Sequence, residues 1–354
     1  MKKVLFLYST IMIIFICINV TASTASLKVI TPLKYDKAYN FSNGLGRVEI
    51  NQKTGFVDRT GREVIQIKYK FAQDCNERMC GVAVTNRRWS RERWGYLRLN
   101  STWAVRPQFA WMFHFSNGIA PVKWGINGLW GYINKNGRVV IWKRYIQANP
   151  FSEGLACVQV SIGNWKGDYK YINQRGQYVS HTRFNEAGDF SEGLCAVMNR
   201  NNKYGYVNKS IKLVIPYKYV TAKKFKSGFA LVQLSGNTYN IINKSGEIQF
   251  PQYTATFYSF YSEGLFCVKK NNKYGYINAA GRVVIPFKYK TATYFSEGIA
   301  DVSTERGKHY LINKKGNIIL RHQYSELIFH EGVAVANKGF MTKSGYVKII
   351  NYNR

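Results

Sequence analysis

A segment of about 35 residues recurs along almost the whole chain, and this repetition restricts the fold more than any other feature. Residues 262–295, SEGLFCVKKNNKYGYINAAGRVVIPFKYKTATYF, show the pattern most completely. A first glycine, which ends an F-S-E-G-like motif, recurs at intervals of 37, 37, 36, 39, 35, 36, 34 and 34 residues. Its positions are Gly44, Gly81, Gly118, Gly154, Gly193, Gly228, Gly264, Gly298 and Gly332. Such small variation indicates loops of different length on one constant scaffold.

Each unit has the pattern of three short β-strands. Residues 265–268 form a brief apolar run, and residues 273–277 alternate large aromatic with small or aliphatic side chains, the period of a strand. Residues 283–285 form a return strand, and Pro286, which has no N–H, ends it or places it at an edge. No segment has the sustained i, i+3, i+4 apolar spacing of a helix. The chain is therefore expected to be all-β, with three short antiparallel strands per unit.

The turn between the second and third strands has the form Asn-x-x-Gly. Asparagine can bond its own backbone there, and glycine accepts a positive φ. Ser101 and Ile211 replace this glycine in the second and fifth units. We assign it to Gly61, Gly137, Gly176, Gly246, Gly281, Gly316 and Gly345.

The two ends of the chain complement one another. Residues 30–38 match the last third of a unit, and residues 332–350 supply the first two strands and the turn of another. Closed propellers join their last blade from both termini in this way. We therefore expect one repeat domain over residues 26–354, with about nine units of which the first and last are incomplete. A β-propeller-like ring is favoured, and an open β-solenoid is the alternative.

Four segments show a W-G-Y or Y-G-Y strand between F-S-E-G and V-I-P-x-K-Y motifs. They are Arg93-Trp-Gly-Tyr96, Leu129-Trp-Gly-Tyr-Ile133, Lys203-Tyr-Gly-Tyr206 and Lys273-Tyr-Gly-Tyr276. This pattern resembles the bacterial WG repeat family, which implies a non-catalytic β-repeat protein. Tyr132, Tyr206 and Tyr276 hold one repeat position and are expected to pack between units while their hydroxyls reach water.

The first 25 residues have the layout of a secretory signal. Lys2 and Lys3 precede an apolar run over residues 4–20, and small residues follow it. We expect residues 1–25 to be removed and the mature protein to be secreted or periplasmic, without a stable transmembrane segment. An uncleaved signal that anchors the protein to the membrane is the alternative.

Charge restricts the partner. The chain has 51 Lys and Arg against 19 Asp and Glu, a formal net charge of +32. Such a charge creates a positive field over much of the surface. Part of the charge is also explained by lysines that only keep the protein soluble. We therefore expect a non-catalytic scaffold that binds an anionic envelope polymer or a protein partner. An extracellular nucleic-acid-binding protein is the alternative, and a cell-envelope hydrolase ranks third.

One hairpin breaks the repeat. The second unit has four arginines and two tryptophans in residues 87–94, where other units have Asn and Lys. Trp94 fills the repeat position, whereas Trp89 has no counterpart. Arginine forms bidentate hydrogen bonds with phosphate or carboxylate and stacks on aromatic rings. The predicted binding site consists of Arg87, Arg88, Trp89, Arg91 and Arg93.

No catalytic, metal or cofactor site is expected. Cys75 and Cys80 are close enough in sequence to form a disulfide in an oxidising compartment, whereas Cys157, Cys195 and Cys267 are expected to be buried thiols. One repeat position explains most of the glutamates: Glu153, Glu192, Glu263, Glu297 and Glu331. The histidines have none of the metal-binding spacings: His114, His181, His309, His322 and His330.

Overall fold

The structure is a computed structural model that describes residues 25–85, 91–161, 167–236, 238–256, 261–337 and 343–352. Within these ranges the chain forms 35 β-strands and no helix. The strands make nine small antiparallel sheets in a ring, so the chain is a nine-bladed β-propeller. The all-β repeat prediction is confirmed, and the ring excludes the open solenoid.

The chain begins with β1 (Ser26–Tyr35), which belongs to the last blade. The first blade consists of β2 (Lys37–Ser42), β3 (Leu45–Ile50), β4 (Lys53–Asp58) and β5 (Glu63–Tyr69). The second consists of β6 (Phe71–Ala72), β7 (Met79–Val84), β8 (Arg93–Arg98) and β9 (Trp103–Phe109). The third consists of β10 (Trp111–Met112), β11 (Ile119–Lys123), β12 (Trp130–Asn134) and β13 (Val139–Tyr145). The fourth consists of β14 (Gln147–Ala148), β15 (Leu155–Ser161) and β16 (Gly167–Asn173).

The remaining blades follow the same order. The fifth consists of β17 (Glu186–Ala187), β18 (Leu194–Met198), β19 (Tyr204–Asn208) and β20 (Leu213–Tyr219). The sixth consists of β21 (Thr221–Ala222), β22 (Phe229–Gln233), β23 (Asn240–Asn243) and β24 (Ile248–Gln249). The seventh consists of β25 (Tyr261–Ser262), β26 (Leu265–Lys270), β27 (Lys273–Asn278) and β28 (Val283–Tyr289). The eighth consists of β29 (Thr291–Ala292), β30 (Ile299–Ser303), β31 (His309–Asn313) and β32 (Ile318–His322). The ninth consists of β33 (Phe329–His330), β34 (Val333–Asn337), β35 (Ser344–Ile350) and β1.

Both ends of the chain build the ninth blade and close the ring. β1 pairs antiparallel with β35. Tyr35 of β1 and Tyr346 of β35 pack against Phe41 and Val57 of the first blade. The predicted sharing of one unit between the termini is confirmed.

The hydrophobic core lies between successive blades rather than within one. Tyr96 and Val105 of the second blade pack with Phe115 and Val122 of the third, and all four are buried. Alternation of side chains along each strand supplies an apolar face to both neighbouring blades. Most blades also have a short first strand that the three-strand pattern did not predict. The K-Y-x-x-A segment provides this strand.

The glycine of the W-G-Y motif is required by a bulge in the outer strand. In the third blade, Trp130 pairs with Tyr145 and Tyr132 with Ile141, so the outer strand has extra residues at this point. A Cβ on Gly131 would lie 2.5 Å from the Ile141 carbonyl oxygen. The same obstacle, at 2.6–2.8 Å, faces a Cβ at the glycines of four other blades: Gly55, Gly95, Gly205 and Gly275.

Gly345 requires a correction. The repeat pattern predicts this glycine at the end of an Asn-x-x-Gly turn, but it lies inside β35 beside Tyr346. A Cβ there would lie 2.7 Å from the Pro32 carbonyl oxygen of β1. Gly345 is therefore the W-G-Y glycine of the ninth blade. The prediction was wrong because Ser344 replaces the aromatic residue that marks this strand elsewhere.

The substitution Gly131→Ala tests this steric role. We expect the free energy of unfolding to fall by about 2–3 kcal/mol, because the new Cβ must displace the backbone of β13. Gly154→Ala is the matched control: Gly154 has φ +87°, but an added Cβ would have no atom within 4 Å. Its expected cost is about 1 kcal/mol of left-handed strain. Denaturant unfolding measures both values, and equal losses would contradict the steric explanation.

Candidate functional site

The serine or glutamate of the F-S-E-G motif joins most blades to the next. Ser152 Oγ donates a hydrogen bond to the Phe190 carbonyl of the fifth blade at 2.7 Å. The Glu153 carboxylate accepts the Glu192 and Gly193 backbone N–H groups of that blade at 2.5 and 3.0 Å. The serine contact recurs at Ser42, Ser116, Ser191, Ser262 and Ser296. The carboxylate contact recurs in the pairs Glu77–Gly118, Glu192–Gly228, Glu263–Gly298, Glu297–Gly332 and Glu331–Gly44.

A cation of the next blade approaches several of these carboxylates. Lys244 Nζ lies 3.3 Å from Glu192 Oε2. Partial burial by itself raises the pKa of Glu192, but hydrogen bonds from the Gly228 N–H, Lys244 and the Ser227 N–H outweigh it. The pKa of Glu192 therefore lies below its usual value. The pKa values of two further glutamates with such partners, Glu77 and Glu331, are lowered in the same way.

The repeated tyrosine makes a second interblade contact. Tyr132 is fully buried, and its hydroxyl donates a hydrogen bond to the Asn149 carbonyl of the next blade at 2.8 Å. The tyrosines therefore pack between blades, as expected, but their hydroxyls bond protein rather than water. The same contact is made by Tyr96, Tyr171, Tyr206, Tyr276 and Tyr346.

The cysteines divide into two groups. Cys75 and Cys80 form a disulfide in the second blade, with their Cα atoms 4.2 Å apart. Cys157, Cys195 and Cys267 are buried thiols that take no part in a disulfide. Burial raises the pKa of Cys195 to about 12. Such a thiol stays protonated at neutral pH and is a poor nucleophile.

The predicted binding hairpin is described only in part. Arg87, Arg88 and Trp89 lie outside the described residues. Arg91 is exposed just before β8, and Arg93 is half-buried at its start.

An aromatic cluster follows Arg93 directly. Trp94 is 3% exposed, whereas Phe71 and Trp111 are 48% and 46% exposed. The Trp94 ring centroid lies 6.4 Å from that of Phe71 and 5.3 Å from that of Trp111. Trp94 is thus a packing residue that supports two exposed rings on the second and third blades.

In six blades a lysine or arginine stands directly before the tyrosine or histidine that ends the outer strand. Lys218 precedes Tyr219 and is exposed, and its Nζ lies 5.3 Å from the tyrosine ring centroid. Within the described ranges, no carboxylate oxygen lies within 4.0 Å of the side-chain nitrogens of any residue of this set. We call the set the outer-strand cations: Lys34, Lys68, Arg144, Lys218, Lys288 and Arg321.

Three potential metal ligands that sequence spacing did not reveal converge in the eighth blade. Asp301 lies on β30, His309 on β31 and His322 on β32, and one ligand atom from each lies within 4.8 Å of the others. A cavity of about 430 Å³ adjoins Asp301 and His309. A search for metal-binding spacings does not find them. An alignment of the repeats would have found them, because other units have different residue types at these positions.

Comparison with known families identifies the class of protein. The family model described as "WG containing repeat" matches residues 26–53, 55–77, 94–129, 130–165, 171–204, 204–239, 241–274, 274–308 and 311–339. The chain therefore belongs to the WG repeat family, as its motifs predicted. No curated protein matches the sequence significantly.

Solved structures share the fold at low sequence identity. A structure titled "Crystal structure of the eukaryotic initiation factor" is 9% identical, with a TM-score of 0.59, and the match covers 82% of this chain and 88% of that one. BamB from Moraxella catarrhalis is also 9% identical, with a TM-score of 0.44 over 91% of this chain and 98% of that one. At this identity the similarity to the first structure concerns the fold alone.

Among the residues with described structure, none belongs to a helix long and apolar enough to cross a membrane.

The substitution Glu192→Gln tests the interblade carboxylate. Because the pKa of Glu192 is lower in the folded state than the unfolded value near 4.5, its stabilisation is complete above that value and is lost as pH falls through the folded pKa. We expect the variant to lose about 1–2 kcal/mol of unfolding free energy at pH 7. The difference from the parent should shrink below about pH 4.

Glu63→Gln is the control, because Glu63 is exposed on β5. Thermal or denaturant unfolding at both pH values measures the differences. A Glu192→Gln variant as stable as the parent at pH 7 would contradict the interblade role.

Proposed function

We propose that the protein is a non-catalytic scaffold of the cell envelope that binds an anionic polymer or an acidic partner protein. The observation that carries this proposal is the set of outer-strand cations. They repeat on six of the nine blades, they are exposed, and no described carboxylate neutralises them. Repetition of one charge around a ring suits a partner that is itself a repeating polyanion, because several weak contacts then act together.

The disposition of the acids strengthens this proposal. Several of the 19 acidic residues serve as F-S-E-G glutamates between blades, and Glu77, Glu192 and Glu331 are each paired there with a basic residue. Fewer carboxylates are then left to neutralise the cations elsewhere on the surface. The net positive field of the chain therefore favours association with anions.

The proposed location rests on the leader and the disulfide. Residues 1–25 have the layout of a secretory signal, and a disulfide such as Cys75–Cys80 persists in oxidising compartments. We infer a secreted or periplasmic protein, with membrane anchoring through an uncleaved signal as the alternative.

Within the positive surface, the hairpin of the second blade is the proposed specific site. Arg87, Arg88, Trp89, Arg91 and Arg93 belong to it in sequence. Trp94 follows Arg93 in the chain, and the exposed rings of Phe71 and Trp111 pack on Trp94 and add apolar faces. Arginine and an aromatic ring together can hold an anionic group and the planar or apolar part attached to it.

The aromatic faces also favour a second candidate partner, single-stranded nucleic acid. Bases stack on exposed aromatic rings while basic side chains follow the phosphates. Trp142 of the third blade, 67% exposed with Lys143 Nζ 5.9 Å from its ring centroid, offers a further surface of this kind.

Removal of three arginines tests the hairpin. We expect the variant Arg87→Ala/Arg88→Ala/Arg91→Ala to bind a polyanion at least about tenfold more weakly at low salt, because charge-assisted contacts are lost. If the partner is nucleic acid, the log–log salt slope should flatten by about 0.7–0.9 for each lost phosphate contact. Titrations against an anionic envelope polymer, single-stranded DNA and RNA at several salt concentrations measure both quantities.

The matched control is Lys34→Ala/Lys218→Ala/Lys288→Ala, which removes the same charge from three outer-strand cations. A larger loss in the hairpin variant locates the site in the hairpin, whereas equal losses mean that binding is distributed over the ring. Failure of the parent to bind any of these polyanions at low salt would refute the proposed function.

A further inference from the structure

The eighth blade departs from the repeat at three positions that meet in space. In the seventh blade these positions are Cys267 on the second strand, Tyr274 on the third and Tyr289 on the outer strand. The eighth blade has Asp301, His309 and His322 in their places, and His309 pairs directly with His322 across the two strands. An aromatic pair and a buried thiol are thus exchanged together for three groups that can ligate a metal.

Two separations between ligand atoms are close to those that a metal requires, and each involves a different oxygen of the Asp301 carboxylate. His309 Nδ1 lies 3.2 Å from Asp301 Oδ1, and His322 Nε2 lies 3.1 Å from Asp301 Oδ2. Metal–ligand distances of about 2.0–2.2 Å in a tetrahedron place the ligand atoms roughly 3.3 Å apart. The carboxylate is oriented by the Leu327 N–H, which donates to Oδ2 at 2.7 Å. Hydrogen bonds to a ligating carboxylate are a regular feature of metal sites.

His322 is buried without a hydrogen-bonding partner. The side chains of His322 and Asp301 are 1% and 2% exposed. Neither ring nitrogen of His322 makes a hydrogen bond to any described residue, although Nε2 lies 3.1 Å from Asp301 Oδ2. A buried polar group without a partner is unfavourable. An ion between Nε2 and the carboxylate would supply that partner.

Two of the three groups, Asp301 and His309, line a cavity. Its volume is about 430 Å³, and Lys290, Thr291, Ser303 and Glu326 contribute to its lining together with Asp301 and His309. Three protein ligands leave one position of a tetrahedral site for water or for an oxygen atom of a bound molecule.

We propose that Asp301, His309 and His322 bind one divalent transition-metal ion of the Zn²⁺ type in the eighth blade. Two imidazole nitrogens and one carboxylate oxygen are the donors that such borderline ions prefer. Water or a bound molecule can approach the ion from the cavity that Asp301 and His309 line. The bound ion stabilises the eighth blade where it meets the closing ninth blade, because Leu327 stands just before β33. Because the ion binds the folded chain and not the unfolded chain, it raises the melting temperature of the protein.

Metal titration of the purified protein, free of any affinity tag and first treated with a chelator, tests the proposal. We expect it to bind one equivalent of Zn²⁺ or Co²⁺ and to melt at a higher temperature with the metal present. Asp301→Asn, His309→Gln and His322→Gln should each weaken binding at least about tenfold. His181→Gln, which changes an exposed histidine on another blade, is the matched control and should bind as the parent does.

A triple variant separates loss of metal binding from loss of the fold. Asp301→Ala/His309→Tyr/His322→Tyr places a small residue and an aromatic pair where most other blades have them, so it should melt cooperatively and bind no metal. Absence of stoichiometric binding in the parent would overturn the proposal, and the three groups would then be a buried ion pair. Parent-like affinity in the folded triple variant would also overturn it.

Discussion

Contact between successive blades is the interaction on which the rest of the structure depends. A blade of three or four short strands cannot bury its two faces alone, so each unit needs a neighbour on both sides. The F-S-E-G serine and glutamate and the W-G-Y tyrosine each place a hydrogen bond across that boundary, from Ser152 to Phe190 and from Tyr132 to Asn149 for example. The Glu331–Gly44 contact continues the series from the last blade to the first. The ring therefore closes with the same chemistry that joins its other blades.

The fold could be predicted from the sequence because each repeated residue meets a steric or conformational requirement of its own short segment. The W-G-Y glycine avoids a backbone atom of a bulged strand, and the Asn-x-x-Gly turn needs a positive φ. The split unit at the termini indicated closure because residues 30–35 have no strand partner nearby in the chain and pair with β35. Gly345 was misplaced where the marker itself was missing, because Ser344 stands in the position of the aromatic residue.

Candidate sites are harder to predict from the sequence because they depend on contacts between residues that are distant in the chain. The arginines of residues 87–93 are visible as a charge anomaly, but the exposed rings of Phe71 and Trp111 on either side of Trp94 are not. Asp301, His309 and His322 have no recognisable spacing, and only the pairing of β30, β31 and β32 brings them together. A comparison of equivalent positions among the nine blades would have marked all three as exceptions.

Native-state hydrogen exchange of β1 tests the closed ring most directly. As the edge strand, β1 is protected by pairing with β35, whereas the amides of β35 that point toward β34 would stay protected without β1. The account predicts that those amides of residues 26–29 that point toward β35 exchange nearly as slowly as the amides of β35. Rapid exchange of β1 beside a protected β35 would contradict closure of the propeller by the two termini.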